Sequence, residues 1–349
     1  MKITYYVQRY RPSFEAISKE VRALAEHFSN SNIVRIHDLH LDGITKIRID
    51  KKVVSYHFMY YLLTAPFVKY KSAKNSINHI YTSLGDLPYL PIFSPTNTIL
   101  TAAASCNFRK VKKRAYFLKR LPKIIVESEK QRKILLELGV AEKKIEVIHP
   151  PVDLSAYSYQ RPRPANRQFS ILYASCPTRK EDFSKRGIYL LLECAKRNKE
   201  IIIDLAWRVG ALKEITSSVK KADLTNVTLT NNLIADMNQR YANAHCTIIP
   251  YTKPDDYLKL IPNSALESLA AGKPLLVSSA AGLAEFVKDH RCGVVFDPNI
   301  KSLEKAISKL KNDYKSFQKN CRPAAEKYFS KERFFLDYQK IYLDLAGKR

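Results

Sequence analysis

The sequence is short of the features that would settle its class at once. Its six cysteines (Cys106, Cys176, Cys194, Cys246, Cys292 and Cys321) include no Cys-x-x-Cys pair. That removes the usual spacing for zinc, and thiols set within apolar runs read as buried groups of a reducing compartment. The longest strongly apolar stretch, residues 53–68, has 16 residues and is broken by His57 and Pro66. It is too short and too interrupted to span a bilayer, and a core helix is the expected reading. Met1-Lys2 runs straight into an alternating segment, so no signal peptide is expected. There is no internal repeat and no low-complexity tract. Acidic residues are few beside basic ones, 33 against 59, for a net charge of +26. Residues 1–150 hold 26 Lys/Arg and 12 Asp/Glu, and the remainder 33 and 21. A surplus spread over both halves favours a polyanionic partner: an anionic membrane surface, a nucleic acid or sugar phosphates. Its plainer alternative is a lysine-rich organism whose charge is scattered over helix faces.

What is present reads as α/β. At 349 residues and 46% hydrophobic, the chain can form two α/β domains. Residues 2–7, 32–36, 79–82, 99–103, 123–126 and 145–148 read as strands. Ile17, Val21, Leu24 and Phe28 mark a helix face, and residues 52–70 read as an aromatic, apolar helix. Ser128-Glu129-Lys130-Gln131 has the form of a capping box, opening a helix that ends at Gly139. His149-Pro150-Pro151-Val152-Asp153 is a stiff turn. The polar stretch after it, to Gln168, contains Arg161-Pro162-Arg163-Pro164 and is the best linker candidate. Strands at 169–174, 201–204, 227–230, 247–250 and 275–278 follow. They alternate with helices near 187–198, 235–243, 264–271, 283–288, 301–313 and 331–346. Alternation on both sides of a linker implies two doubly wound, Rossmann-like parallel sheets. The domains are expected at 1–155 and 168–330.

Residues 259–285 have the clearest local grammar. Ser264 has the chemistry of an N-cap and Glu267 stands three residues on, as in a capping box. Gly272 and Pro274 stop that helix, residues 275–278 form a short strand, and Gly282 opens a second helix with Glu285 in its first turn. Both helix N-termini suit phosphate oxygens. This stretch resembles the nucleotide-sugar site of the retaining family 4 glycosyltransferases. Glu267, Leu269-Ala270-Ala271-Gly272-Lys273-Pro274 and Gly282 to Glu285 fit the later parts of that family's signature. Its first Glu does not fit: Lys259 stands there. Ile124 to Ser128, Leu138-Gly139-Val140, Lys144 to Ile148, Val152-Asp153, Arg186-Gly187-Ile188, Tyr241 to Ala244 and Ile248-Ile249-Pro250 are similar to further family segments in order. His149-Pro150-Pro151 replaces the usual Pro-Asn-Gly.

The resemblance implies the GT-B fold, with two Rossmann-like domains facing a cleft. The first would bind the acceptor and the second the donor, with helix 331–349 crossing back to the first. It implies a hexosyltransferase-like enzyme using a nucleoside-diphosphate sugar, with no cofactor and no essential metal. Arg186 would take the family's phosphate-binding Lys position. Arg179 would supply the Arg, with Lys180 or Lys185 as alternatives. Glu267 would hydrogen-bond the ribose, its plainer reading being the capping box. Leu260, Ile261, Asn263 and Ser264 would present backbone groups to sugar or phosphate. Lys259 cannot accept hydrogen bonds as a carboxylate does. It would instead pair with a phosphate or an acidic sugar, with Asp255 or Asp256 as a shifted carboxylate; loss of transfer is the alternative. Ser13, Glu15, His79 and Ser105 are acceptor-side candidates.

Residues 109–123 carry eight basic residues and no acid. Arg109, Lys110, Lys112, Lys113, Arg114, Lys119, Arg120 and Lys123 interleave with Val111, Tyr116, Phe117, Leu118 and Leu121. This pattern suits an anionic membrane surface, with nucleic-acid phosphates or a solvated helix as alternatives. The expected acceptor is a lipid-linked glycan or glycolipid, on a protein that is cytoplasmic and peripheral on the inner face of the cell membrane. Two alternatives stand beside it: a nucleic-acid acceptor, and a non-catalytic nucleotide-sugar or glycan-binding subunit.

Overall fold

A computed structural model describes residues 1–7, 10–12, 15–37, 53–57, 70, 77–84, 92–104, 108–159, 168–207, 210–232, 236–253 and 259–347. The chain divides into two compact units. One is Met1–Pro150 with Asp255–Leu260 and Glu332–Arg349, the other Pro151–Pro254 with Ile261–Lys331.

The first unit is built on a seven-stranded parallel sheet. Its strands are β1 (Ile3–Val7), β2 (Ser31–His37), β3 (Val53–His57), β4 (Ile77–Ser83), β5 (Thr98–Ala104), β6 (Ile124–Val126) and β7 (Ile145–Val147), in the order β3-β2-β1-β4-β5-β6-β7. Strands β1, β4 and β5 are buried along their whole length, so even polar side chains on them such as Asn78, His79 and Thr101 are enclosed. Successive side chains serve opposite faces. Tyr5, Val7 and Ile99 pack with Val21 and Leu24 of α1 (Ala16–His27). Tyr6, Ile80 and Leu100 pack with Val111 of α2 (Phe108–Lys112), Leu118 of α3 (Ala115–Arg120) and Leu135 of α4 (Glu129–Glu137). Ser128 caps α4, and Gln131 reaches back to the Glu127 amide at 2.9 Å while donating to the Ala102 and Ala104 carbonyls at 2.8 and 3.0 Å.

The second unit carries six parallel strands: β8 (Phe169–Tyr173), β9 (Ile201–Ala206), β10 (Val227–Thr230), β11 (Cys246–Ile249), β12 (Leu275–Ser278) and β13 (Gly293–Phe296), in the order β10-β9-β8-β11-β12-β13. Its helices are α5 (Asp182–Lys185), α6 (Ile188–Arg197), α7 (Leu212–Lys221), α8 (Met237–Asn243), α9 (Asn263–Ala270), α10 (Ala284–Asp289), α11 (Ile300–Asn312), α12 (Tyr314–Gln318) and α13 (Cys321–Phe329). Cys176, Cys194, Cys246, Cys292 and Cys321 are free thiols.

The last helix, α14 (Lys331–Gly347), lays Phe334, Tyr338, Ile341, Tyr342 and Leu345 into the first unit's core. Three short hydrogen bonds fasten it. His79 Nδ1 meets the Tyr342 hydroxyl at 2.7 Å, His79 Nε2 meets Thr101 Oγ1 at 2.7 Å, and Thr101 meets the Tyr338 hydroxyl at 2.9 Å. Burial pushes the His79 imidazole down to about 3, so it is neutral and structural here.

Several elements depart from the sequence reading: α5, α7, α12 and α13 are not among the expected helices, and two strands differ as well. Residues 52–70 were expected as one helix, but Val53–His57 is an edge strand paired in parallel with β2, from Ile33↔Val53 to His37↔His57. Val53, Val54 and Tyr56 are strand formers, and the neighbouring strand overrides the helical pattern. Residues 58–69 lie outside the described residues. Strand β13 is short and begins with Gly293, whose missing Cβ would stand 2.1 Å from the Leu275 carbonyl oxygen. A glycine start is disfavoured in strands and hides the run from a propensity reading.

The first unit also buries charge. Lys259 pairs with Glu20, which accepts a 2.6 Å hydrogen bond from the Tyr81 hydroxyl. Glu127 follows β6 directly, lies 3.6 Å from the Lys259 ammonium and is 1% exposed. Neither of its carboxylate oxygens has a hydrogen-bond partner among the described residues. Burial holds this carboxyl well above the usual carboxylate range and outweighs Lys259's ion pair, drawing the ammonium down to about 7. From about pH 4.3, the ordinary glutamate value, the unfolded chain releases the Glu127 proton while the folded chain keeps it, so stability falls as pH rises. Lys259 acts oppositely above about pH 7, which leaves pH 4–7 as the clean window. Glu127→Gln, neutral throughout, should match wild type near pH 4. By pH 7 it should be the more stable by about 1–3 kcal/mol in calorimetric unfolding. A constant difference across that window would contradict the assignment.

Candidate active site

In an open parallel sheet, ligands bind at the carboxyl ends of the strands where strand order reverses. In the second unit that point lies between β8 and β11. Arg186 is held there: its guanidinium donates to Ser175 Oγ at 3.2 Å, two residues past β8, and the side chain is half-buried. The loop carrying it is tied to the end of β11 by Thr252. The Thr252 amide donates to the Lys185 carbonyl at 2.9 Å and its hydroxyl to the Ser184 carbonyl at 2.8 Å. Gly187 then turns at φ +72° into α6, so close to β11 that a Cβ would stand 1.8 Å from the Pro250 carbonyl oxygen. Only glycine fits that turn. The Arg179 side chain is exposed, without a partner among the described residues, and its carbonyl accepts from the Asp182 amide at 3.2 Å. Lys185 is exposed. A half-buried guanidinium, an exposed arginine and the start of a ten-residue helix thus share one edge of this unit. That is the chemistry of an anion site.

Helix α9 enters from the same end of the sheet. Its N-cap is Pro262, with no side-chain cap, so the capping box expected of Ser264 and Glu267 is not formed. Proline supplies the extended entry, and Ser264 is buried inside the first turn. Ile261 is buried, and Asn263 Oδ1 is buried without a hydrogen-bond partner among the described residues. The half-buried Glu267 takes a hydrogen bond from the Tyr241 hydroxyl at 2.8 Å. Gly272, at φ +71°, ends the helix, and Lys273 behind it is fully buried.

Lys259 stands with Glu20 and Glu127 in the first unit. Among the acceptor-side candidates, Glu15 accepts from Ser18 Oγ at 3.0 Å at the start of α1, and His79 is the core group described above. Ser13 and Ser105 lie outside the described residues, as do Asp255, Asp256 and the Arg161–Pro164 run. Glu20 and Glu127 are not singled out as site residues by sequence reasoning. The signals for Glu127 are its place directly after an apolar strand and inside the resembling run Ile124 to Ser128, whereas Glu20 has no signal that sets it apart from other helix carboxylates. Among the described residues no group of three or more His, Cys, Asp or Glu is placed to hold a metal ion.

The basic segment forms α2 and α3. Val111, Leu118 and Leu121 turn into the core. Arg109, Lys110, Lys112, Lys113, Lys119 and Arg120 turn outward, with Arg114 half-buried. Tyr116 is 67% exposed, and Arg120 lies over its ring at 5.5 Å. Lys123 is instead bound to Glu146 at 2.5 Å. No described helix is long and apolar enough to cross a membrane.

Residues 182–328 match the family model described as glycosyl transferases group 1. Over 105 residues the chain is 27% identical to an alpha-1,3/1,6-mannosyltransferase, ALG2, of Dictyostelium discoideum. That match spans 30% of this chain and about a quarter (24%) of the relative. Among solved structures, Anabaena Alr3699/HepE in complex with UDP is 14% identical, with TM-score 0.76, 99% of this chain and 100% of that one covered. A glycosyltransferase from Rickettsia africae ESF-5 is 16% identical, with TM-score 0.74 and 100% and 99% covered. WaaG, a glycosyltransferase involved in lipopolysaccharide biosynthesis, is 13% identical, with TM-score 0.68 and 95% and 98% covered. At these identities the structures establish the fold, which is GT-B with two Rossmann-like sheets. Arg186, Gly187 and Glu267 all fall inside residues 182–328, the segment of this GT-B chain that matches the group 1 glycosyl transferases.

Proposed function

We propose that the protein is a retaining glycosyltransferase that moves a sugar from a nucleoside-diphosphate sugar to a hydroxyl acceptor. The reading rests on one coincidence. The segment matching the group 1 glycosyl transferases holds both Arg186, at the sheet's switch point, and the half-buried carboxylate Glu267. Arg186, Arg179 and Lys185 would meet the diphosphate as charge develops on it, in place of a metal's charge. Preorganised cations of this kind supply the largest share of such catalysis. The N-terminus of α9, with Ile261, Asn263 and Ser264, would face phosphate or sugar, and Glu267 the ribose. Asn263 Oδ1 has the unmet hydrogen-bonding capacity to take a ligand donor. The UDP seen with the Anabaena protein makes a uridine nucleotide the first donor to try. Lys259, in this reading, serves the donor only if it leaves Glu20, which favours a second reading of the chain as a non-catalytic nucleotide-sugar-binding subunit.

The acceptor is proposed to be a lipid-linked glycan or glycolipid. The outward basic face of α2 and α3, with the exposed Tyr116, supports a peripheral place on an anionic membrane surface in the cytoplasm. The same face would also attract nucleic-acid phosphates.

Two measurements test this. In a panel of nucleoside-diphosphate sugars, one donor should raise the melting temperature and be slowly hydrolysed. Arg186→Ala should lower that hydrolysis by about 100-fold. Binding without turnover under any acceptor would favour the subunit, and no binding at all would sink the donor site. In vesicle sedimentation, the protein should bind anionic but not neutral vesicles, and release with salt. Changing Lys112, Lys113, Lys119 and Arg120 to Glu should weaken binding by at least about 100-fold, at about 1 kcal/mol per removed charge. Equal binding by that variant would remove the membrane assignment.

A further inference from the structure

We propose that Tyr241 and Tyr157 are positioning residues that aim the Glu267 carboxylate at the donor's ribose hydroxyls. Segment 154–159 would then be a working part of the donor site rather than a spacer after the linker. This rests on the reading of Glu267 as the ribose-binding group.

A half-buried glutamate has three free torsions and no need of dedicated protein donors, because water satisfies it. Glu267 nevertheless has one, with a second phenol beside it. The fully buried Tyr241 hydroxyl donates to Oε2 at 2.8 Å, and Tyr157 lies near enough for the Glu267 charge to act on its phenol. The two rings meet edge to face with centroids 5.8 Å apart. Burial, reinforced by the Glu267 charge, pushes both phenols above their ordinary range, so both remain donors at any working pH. An ionised carboxylate offers about four acceptor sites. The Tyr241 donor, with the Tyr157 phenol beside it, restricts the carboxylate's torsions and leaves the remaining sites for a diol.

The supports of both tyrosines are fastened more firmly than a spacer requires. Ser158 and Asn238 exchange hydrogen bonds at 3.1 and 3.0 Å, which joins Tyr157's segment to α8, the helix of Tyr241. Arg240 locks that helix to β9 through Asp204, at 3.0 and 3.3 Å. A single Arg322 nitrogen donates to the Tyr157 carbonyl and to the Ala270 carbonyl at the end of α9, both at 2.7 Å. The Tyr159 ring covers Gly272, where a Cβ would stand 2.5 Å from the ring. Tyr157, Tyr241 and Glu267 therefore sit on three pieces of chain bolted to one another.

The test is a substrate-and-mutant cycle on the full chain. ADP, GDP, CDP, UDP and their 2′-deoxy forms are titrated calorimetrically into wild type, Tyr241→Phe, Tyr157→Phe and the double variant. In wild type, one ribonucleotide should bind about tenfold more tightly than its 2′-deoxy form, as a hydroxyl bonded to a charged group predicts. Each single variant should cut that ratio to roughly threefold, and the double variant should bring it close to one. A merely structural role for the tyrosines would weaken both nucleotides equally and leave the ratio intact, which overturns the positioning role. A wild type that binds neither form, or both alike, overturns the ribose role of Glu267 and this inference with it. Tyr157→Phe alters a half-buried residue, so it gives a readable answer even if the buried Tyr241→Phe folds poorly.

Discussion

A parallel strand covered on both faces has no side that can carry charge, and most of the placement of functional groups follows from this. Strands β1, β4, β5, β11 and β12 are buried along their whole length. Chemistry is left to the strand ends and the helices that follow them. Glu127 comes one residue after β6, Ser175 two residues after β8, and Thr252 three residues after β11. The exception supports the rule. Asp204 sits within β9 and survives there because Arg240 grips both of its oxygens and Thr228 donates to one at 3.1 Å.

The two units treat a carboxylate differently, and the difference separates binding from stress. Glu267 keeps part of its surface open and takes a hydrogen bond from the Tyr241 hydroxyl. Glu127 is closed off, with an ammonium too distant for a hydrogen bond and no donor at either oxygen. A buried acceptor left unmade costs about 1–3 kcal/mol. The first arrangement suits a group that waits for a ligand. The second suits one that holds a proton, and it taxes the stability of the sheet at neutral pH.

Much of the strand pattern is legible because short runs of β-branched and apolar residues stand between turn signals. The strands 227–230 and 275–278 coincide residue for residue with β10 and β12. Arg186 and Glu267 stand out in the sequence through a motif, since short-range spacing survives when overall identity is low, and the structure puts Arg186 against Ser175 and Glu267 against Tyr241. Other features were out of reach for definite reasons. Strand β3 borrows its state from β2 across unrelated sequence. The cap of α9 was misassigned because Ser264 has cap chemistry, while Pro262 fixes the entry by its torsion alone. The partner of Glu267 lies 26 residues away at Tyr241. Glu20 and Lys259 meet across 239 residues. No local pattern records such pairs.

Position 259 shows what this means for reading a motif. The resemblance leads one to expect a glutamate there, so lysine looks like a lost function. The surroundings give another account. Glu20 and Glu127 lie beside the side chain at 259, both nearly excluded from water. A third carboxylate at that point would force like charges together in a poorly solvated space, where one or more would have to take up a proton. An ammonium does the reverse: it satisfies Glu20 directly and moderates Glu127. The residue at 259 answers to these two carboxylates of the first unit. Its identity therefore carries little information on whether the second unit, with Arg186 and Glu267 intact, engages a donor.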